Sequence, residues 1–227
     1  MKNALSPALS RRSILLAGAA SLALAGCASM IGPGPAPQLY VLRPKLGPIA
    51  DVPEAAWQLG VSLPTAAQSL DTDRIALELT PETMDYYANA AWPDRVPVIV
   101  QRTLLEGFER SGKIKAAARD TEGMRADYLL QSDLRSFEAR YDVPDTAPTI
   151  VVDISVKLLK PEGREIVATL RSRHTAQASA NSVPAVVAAF DEALGEAAEE
   201  IAAWTLKAPP PVAETSEIDT RHRHARR

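Results

Sequence analysis

The chain has 227 residues, of which 46% are hydrophobic and 23% charged, with 25 basic against 28 acidic residues and a formal charge of −3. That is a globular composition, which excludes wholesale disorder and collagen-like structure, and the acidic balance argues against nucleic-acid binding, which needs a basic excess. A single cysteine excludes an internal disulfide and a multi-cysteine metal site.

Lys2, Arg11 and Arg12 precede an apolar run from Ile14 to Ala25, with no acid among residues 1–26. A basic start followed by a short apolar stretch predicts an export signal over residues 1–26. The run is shorter than the roughly 20 apolar residues that span a bilayer. It ends in Leu24-Ala25-Gly26-Cys27, which resembles the bacterial lipobox. That resemblance implies cleavage before Cys27 and lipid attachment, with palmitate among the acyl chains, on its sulfur. Ser10-Arg11-Arg12-Ser13-Ile14-Leu15 also resembles a twin-arginine export signal, in which Arg11 and Arg12 carry recognition; the general and twin-arginine routes both stay open. Ala28, where an aspartate favours inner-membrane retention in enterobacterial lipoproteins, leans by resemblance toward the outer membrane. Residues 27–37, rich in Pro, Gly and Ala, predict a lipidated tether. Residues 38–207 then form the folded domain, and 208–227, opening with Pro209-Pro210-Pro211 and closing on a basic run, a disordered tail.

Strand patterns open the domain. Leu39-Tyr40-Val41-Leu42 is a short apolar run, and Trp57, Leu59, Val61 and Leu63 alternate with Gln58, Gly60 and Ser62. Ile75, Leu77 and Leu79 repeat the alternation; Met84, Tyr86, Ala88, Ala90 and Trp92 share the next core parity. A helix follows, with Asp94 as its expected cap, Pro97 in its first turn, a stripe of Val100, Leu104 and Phe108, and Gly112 as terminator. Tyr128, Leu130 and Leu134 have even parity whereas Phe137, Ala139 and Tyr141 have odd. One extra residue exchanges the faces of a strand, so a β-bulge is expected near Ser136. Ile150 to Leu158 and Ile166 to Leu170 form a hairpin around Pro161-Glu162-Gly163-Arg164. Ser182 and Pro184 begin a last helix, whose stripe of Val186, Phe190, Leu194, Ala197, Ile201 and Trp204 is expected to face the sheet. The order implies an α+β fold, a largely antiparallel or mixed sheet with two helices packed on one face.

With these segments in order, the chain resembles the auxiliary lipoproteins of MCE-type ABC lipid transporters. The resemblance is carried by the lipobox and tether, Leu39–Leu42, Asp73-Arg74-Ile75, Tyr86-Tyr87-Ala88-Asn89-Ala90-Ala91-Trp92, Leu104 to Ile114, Ala126–Leu130, Asp133–Glu138 and the final helix. It implies a non-catalytic subunit, anchored by its lipid and facing the periplasm. Its implied partners are an MCE-domain protein, a permease and an ATPase that together move phospholipid or sterol between envelope membranes. A ring-like homo-oligomer stays open. A periplasmic hydrolase and an envelope scaffold with no transport role are the alternatives.

No Gly-x-Ser-x-Gly elbow or phosphate-binding loop occurs, and no catalytic residue, metal ligand or cofactor is assigned. His174, with Arg171 and Arg173 nearby, reads as a polar strand-end residue. His222 and His224 belong to the basic tail. Asp127, Asp133 and Glu138 alternate with apolar residues and are expected on a solvated sheet face. Tyr87 and Asn89 take the parity opposite Tyr86 and Trp92, and are the expected partner-binding residues, because aromatics are enriched at the centres of interfaces.

Overall fold

The computed structural model describes residues 36–208. The readings at Arg11, Arg12, Cys27, His222 and His224, together with most of the tether and the tail, lie outside these residues. The described residues form an open mixed sheet of nine strands with two α-helices, the expected α+β class.

The spine is β7 (Tyr128–Arg140), which pairs antiparallel along its whole length with β8 (Thr149–Lys160). β8 in turn pairs with β9 (Glu165–Gln177), which closes this side of the sheet. The other edge of β7 is shared by three parallel strands in succession: β2 (Ala55–Val61), β3 (Thr65–Ala66) and β4 (Arg74–Thr80). β2 also pairs in parallel with β6 (Ile114–Arg119); β4 forms a hairpin with β5 (Thr83–Ala91), whose outer edge takes the two-residue β1 (Gln38–Leu39). The register of β7 slips between Leu134 and Ser136, which leaves Arg135 as the extra residue of the expected bulge. The slip keeps Leu130, Leu134, Phe137 and Ala139 all buried.

Helix α1 (Val96–Ser111) packs on β6 and on α2 (Val183–Lys207), which covers β8 and β9. Gly112 adopts φ 61°, the left-handed terminator that the sequence predicts. The cap differs from expectation. Arg95 holds the cap position with no side-chain cap bond, Asp94 pairs with Arg102 at 3.5 Å, and the Val96 N–H donates to the Thr72 carbonyl at 3.0 Å. A neighbouring backbone carbonyl thus does part of the cap's work. Ser182 stands at the cap of α2 but likewise makes no side-chain cap bond.

Along α2, Val186, Phe190, Leu194, Ala197 and Ile201 are fully buried, as the stripe requires. Trp204 is only half-buried at the margin of the core, and Thr205 and Ala202 take the inner positions. Phe190 stacks on Phe137 with centroids 4.7 Å apart and meets Trp92 edge-on at 5.4 Å. This trio joins α2, the spine and the end of β5.

Several strands differ from the sequence expectation: β1 covers only Gln38–Leu39 of the expected run to Leu42, and the two-residue β3 was not expected. β6 was not expected, because Ala116, Ala117 and Ala118 carry little β-propensity. β2 stops at Val61, which leaves Leu63 43% exposed. β9 continues to Gln177, so His174 lies inside a strand rather than at its end. No helix among the described residues is long and apolar enough to cross a membrane.

Phe190→Ala should cost about 3–5 kcal/mol of unfolding free energy, because it leaves a cavity against two aromatic rings. Urea denaturation followed by far-UV circular dichroism measures it.

Candidate functional site: the bulged edge strand and two polar clusters

The Tyr86–Trp92 segment forms the end of β5. Ala76 lies opposite Tyr86 and Arg74 opposite Ala91, so two residues of β4 span five of β5. Asn89 absorbs the excess with φ 55°, a left-handed conformation that asparagine tolerates better than most side chains. The bulge corrects the alternation expected here. Ala88 is exposed with Asn89, and Ala90, Ala91 and Trp92 are buried consecutively. Gln38 and Leu39 pair with Ala90 and Ala91, so the chain enters the domain beside the bulge.

Both tyrosines are half-buried and held by the fold. The Tyr86 hydroxyl donates to the Ser69 carbonyl at 3.0 Å, and the Arg74 guanidinium lies 3.8 Å over its ring. The Tyr87 and Tyr141 hydroxyls are 2.8 Å apart, and Tyr141 donates to Asn181 Oδ1 at 2.8 Å. Tyr141 has one proton to give, so Tyr87 donates to Tyr141. Burial, reinforced by this hydrogen bond, pushes the Tyr87 phenol well above its ordinary value. Of the two expected partner-binding residues, Asn89 is open to solvent, whereas Tyr87 offers only part of its ring.

His174 faces α2, away from Arg171 and Arg173 in the strand alternation. Its Nδ1 lies 3.0 Å from Glu196 Oε2 and its Nε2 2.9 Å from Glu200 Oε2. The Ser172 hydroxyl, completely buried, donates to Glu200 at 2.5 Å. Burial raises the Glu200 carboxyl, and hydrogen bonds from Ser172 and His174 outweigh it, leaving it below the usual range. A serine-histidine nucleophile needs an accessible hydroxyl hydrogen-bonded to the imidazole. Here the hydroxyl is sequestered and both ring nitrogens face carboxylates. Among the described residues no group of three or more metal-ligating side chains is arranged to hold an ion.

The sheet face turned away from the helices carries the second cluster. Asp153 is completely buried there, with Oδ2 2.7 Å from Arg171 Nη2 and 3.2 Å from Arg173 Nη1. The sequence reading missed it; a lone acid between Val152 and Ile154, two strand positions that fill the core, was the available signal. The Arg171 hydrogen bond, aided by Arg173, overcomes burial and holds the Asp153 carboxyl below its ordinary value. Glu138 corrects the expectation of a solvated face. It is 3% exposed, accepts from the Phe137 N–H at 2.7 Å, and shares Arg140 with Glu78. Burial dominates there and raises its carboxyl. Asp127 and Asp133 remain at the surface, accepting hydrogen bonds from the Gln58 N–H and the Thr65 hydroxyl.

Tyr141→Phe removes the acceptor of the Tyr87 proton. It should lower the Tyr87 titration midpoint and cost about 1 kcal/mol of stability; phenolate absorbance against pH checks the first and urea denaturation the second. A depressed carboxyl stabilises the fold above its unfolded pKa, about 3.9 for aspartate, and the contribution is lost as pH falls through the folded value. Asp153→Asn should therefore destabilise by about 1–3 kcal/mol at pH 7, with a deficit that shrinks below about pH 4. Melting curves of both proteins from pH 7 to pH 3 measure this convergence.

Comparison with known proteins places this fold. A Xanthomonas campestris protein of known crystal structure has a TM-score of 0.70 and 32% identity, over 74% of this chain and 94% of that one. A second solved structure, at 12% identity with a TM-score of 0.56 over 73% of this chain and 97% of that one, shares the fold. An uncharacterised protein of Bradyrhizobium diazoefficiens is 31% identical over 189 residues, 82% of this chain. The chain spans 50% of the length of that relative. Residues 40–202, from just after β1 through most of α2, match the family described as ABC-type transport auxiliary lipoprotein component, and the chain belongs to that family.

Proposed function

We propose that the protein is a non-catalytic accessory subunit of an MCE-type ABC transporter that moves phospholipid or sterol between envelope membranes. The family match over residues 40–202 carries this reading. The Tyr86–Trp92 segment, on which the resemblance to the MCE-linked group depends most, supports the finer assignment. The sequestered Ser172 and doubly engaged His174 favour a binding role over a hydrolytic one.

In this reading Cys27 bears the lipid, residues 28–37 form the tether, and the domain faces the periplasm from the outer membrane. Its partners are the MCE-domain protein, the permease and the ATPase. Asn89 and the exposed part of Tyr87 form the centre of the docking surface. The bulge supports this choice: it turns a polar side chain outward beside the point where the tether enters, where a partner and the anchor act on the same edge.

Affinity capture of the tagged lipoprotein from solubilised membranes tests the reading. The wild type should retain the MCE-domain protein and the permease. The double substitution Tyr87→Ala and Asn89→Ala, with folding checked by circular dichroism, should weaken capture at least tenfold, as loss of about 1.4 kcal/mol or more from an interface centre requires. Undiminished capture by the folded variant moves the docking surface elsewhere. Absence of the transporter subunits from the wild-type capture, in cells that express them, overturns the function itself.

A further inference from the structure

β7 changes its parallel neighbour partway along its length. Leu130 still lies beside Val61 of β2, whereas Asp133 lies beside Thr65 of β3. The Ser62 N–H donates to the Leu130 carbonyl at 3.0 Å, and the chain then bends through Leu63 and Pro64 before rejoining. A cleft of about 330 Å³ opens where the strands part, lined by side chains of the face opposite the helices. Crevices beyond the carboxyl ends of parallel strands, where strand neighbours change, are common ligand positions in open sheets.

Two rungs of the sheet line this cleft: Gln131 opposite Lys157, and Asp133 opposite Ser155. Arg135, the extra residue of the bulge, and Ser62 complete its polar lining. The Asp133 carboxylate is already engaged. Its Oδ2 is 3.1 Å from Arg135 Nη2, and the Thr65 hydroxyl donates between its Oδ1 and the Ser132 carbonyl at 3.2 and 3.3 Å. Lys157 is exposed and forms no ion pair among the described residues. The cleft therefore pairs two cations, Arg135 and Lys157, with the single acid Asp133, which leaves one uncompensated positive charge, and the hydroxyls of Ser62 and Ser155 and the Gln131 amide are further donors.

We propose that this cleft binds a phosphate ester. A phosphate ester surrounds phosphorus with four oxygens in a tetrahedral array, three of them terminal in a monoester and two in a diester, which suits the Arg135 fork, the Lys157 ammonium and the hydroxyls of Ser62 and Ser155 together. A carboxylate presents two coplanar oxygens and leaves donors unmatched. The volume exceeds that of one phosphate, and Leu63, 43% exposed on the wall, supplies an apolar contact for the carbon side of an ester. Arg171 and Arg173, which share the one Asp153 carboxylate, leave a further net positive charge on the same face that draws anions toward it. The inference does not depend on the transport reading, because it uses only the lining of this cleft.

Titration calorimetry of the lipoprotein purified from membranes, with three separate probes, tests the proposal. The probes are glycerol 3-phosphate, inorganic phosphate, and phosphatidylglycerol in neutral detergent micelles. Saturable binding is expected, with Lys157→Gln and Arg135→Gln each weakening it about tenfold at an unchanged melting temperature. Phosphatidylglycerol binding tighter than glycerol 3-phosphate assigns the site to a lipid headgroup; inorganic phosphate binding as tightly as the esters assigns it to free phosphate and overturns the ester. Amide shift changes at Ser62 and Gln131 of the wild type locate the ligand without any substitution. Saturable binding of none of the three probes, unchanged binding by both the Lys157→Gln and the Arg135→Gln proteins, or shift changes confined to other residues overturns the site.

Discussion

Strand β7 is hydrogen-bonded along both edges, and the one-residue slip at Arg135 lets it serve two partners with opposite demands. Without the slip, unbroken alternation from Leu134 would turn Glu138 toward the helices and Phe137 away from them. With it, Phe137 joins Trp92 and Phe190 in the aromatic contact that fastens α2 to the sheet. Arg135 pairs with Asp133 on the opposite face, where strand neighbours two residues apart ordinarily meet.

The two faces of the domain separate their charges. On the helix side, α2 carries acids off its apolar stripe, and they serve the fold. Asp191 accepts the Arg43 N–H at 2.5 Å, and Glu199 accepts the Gly47 N–H, so the segment entering the domain is tied to the helix by its backbone. On the outer face the acids are Asp153, Glu138 and Asp133, each held by arginine. Asp153 and Glu138 are nevertheless shifted in opposite directions: two guanidinium partners outweigh burial at Asp153, whereas burial wins at Glu138. Their contributions to stability accordingly oppose each other as pH changes.

Bonding of the Tyr86 and Tyr87 hydroxyls inside the domain gives the most family-like segment a structural duty as well as the proposed docking role. The segment builds the bulge, seats β1 and delivers Trp92 to the core. Side-chain hydrogen bonds to Ser69 and Tyr141 hold the segment where the bulge interrupts regular strand pairing.

Local chain chemistry was sufficient for several features. The bulge in β7 is legible because the hydrophobic parity switches at one place. The α2 stripe and the Gly112 terminator are legible because burial and left-handed backbone select residue types directly. The lipobox-like Cys27 rests on sequence alone. Other features required the tertiary structure. β6 is hidden by its alanines and becomes a strand because β2 offers it an edge. Trp204 follows the stripe, yet Ala202, Thr205 and Leu206 take the buried positions of that turn. Parity failed between Tyr86 and Ala91 because the residue count there is set by the opposite strand. The exchange of β2 for β3 along β7, and the cleft it opens, depends on pairing between residues some 70 positions apart. Composition and periodicity report what a residue tolerates nearby; which distant residue it meets is decided only when the sheet closes its ladders.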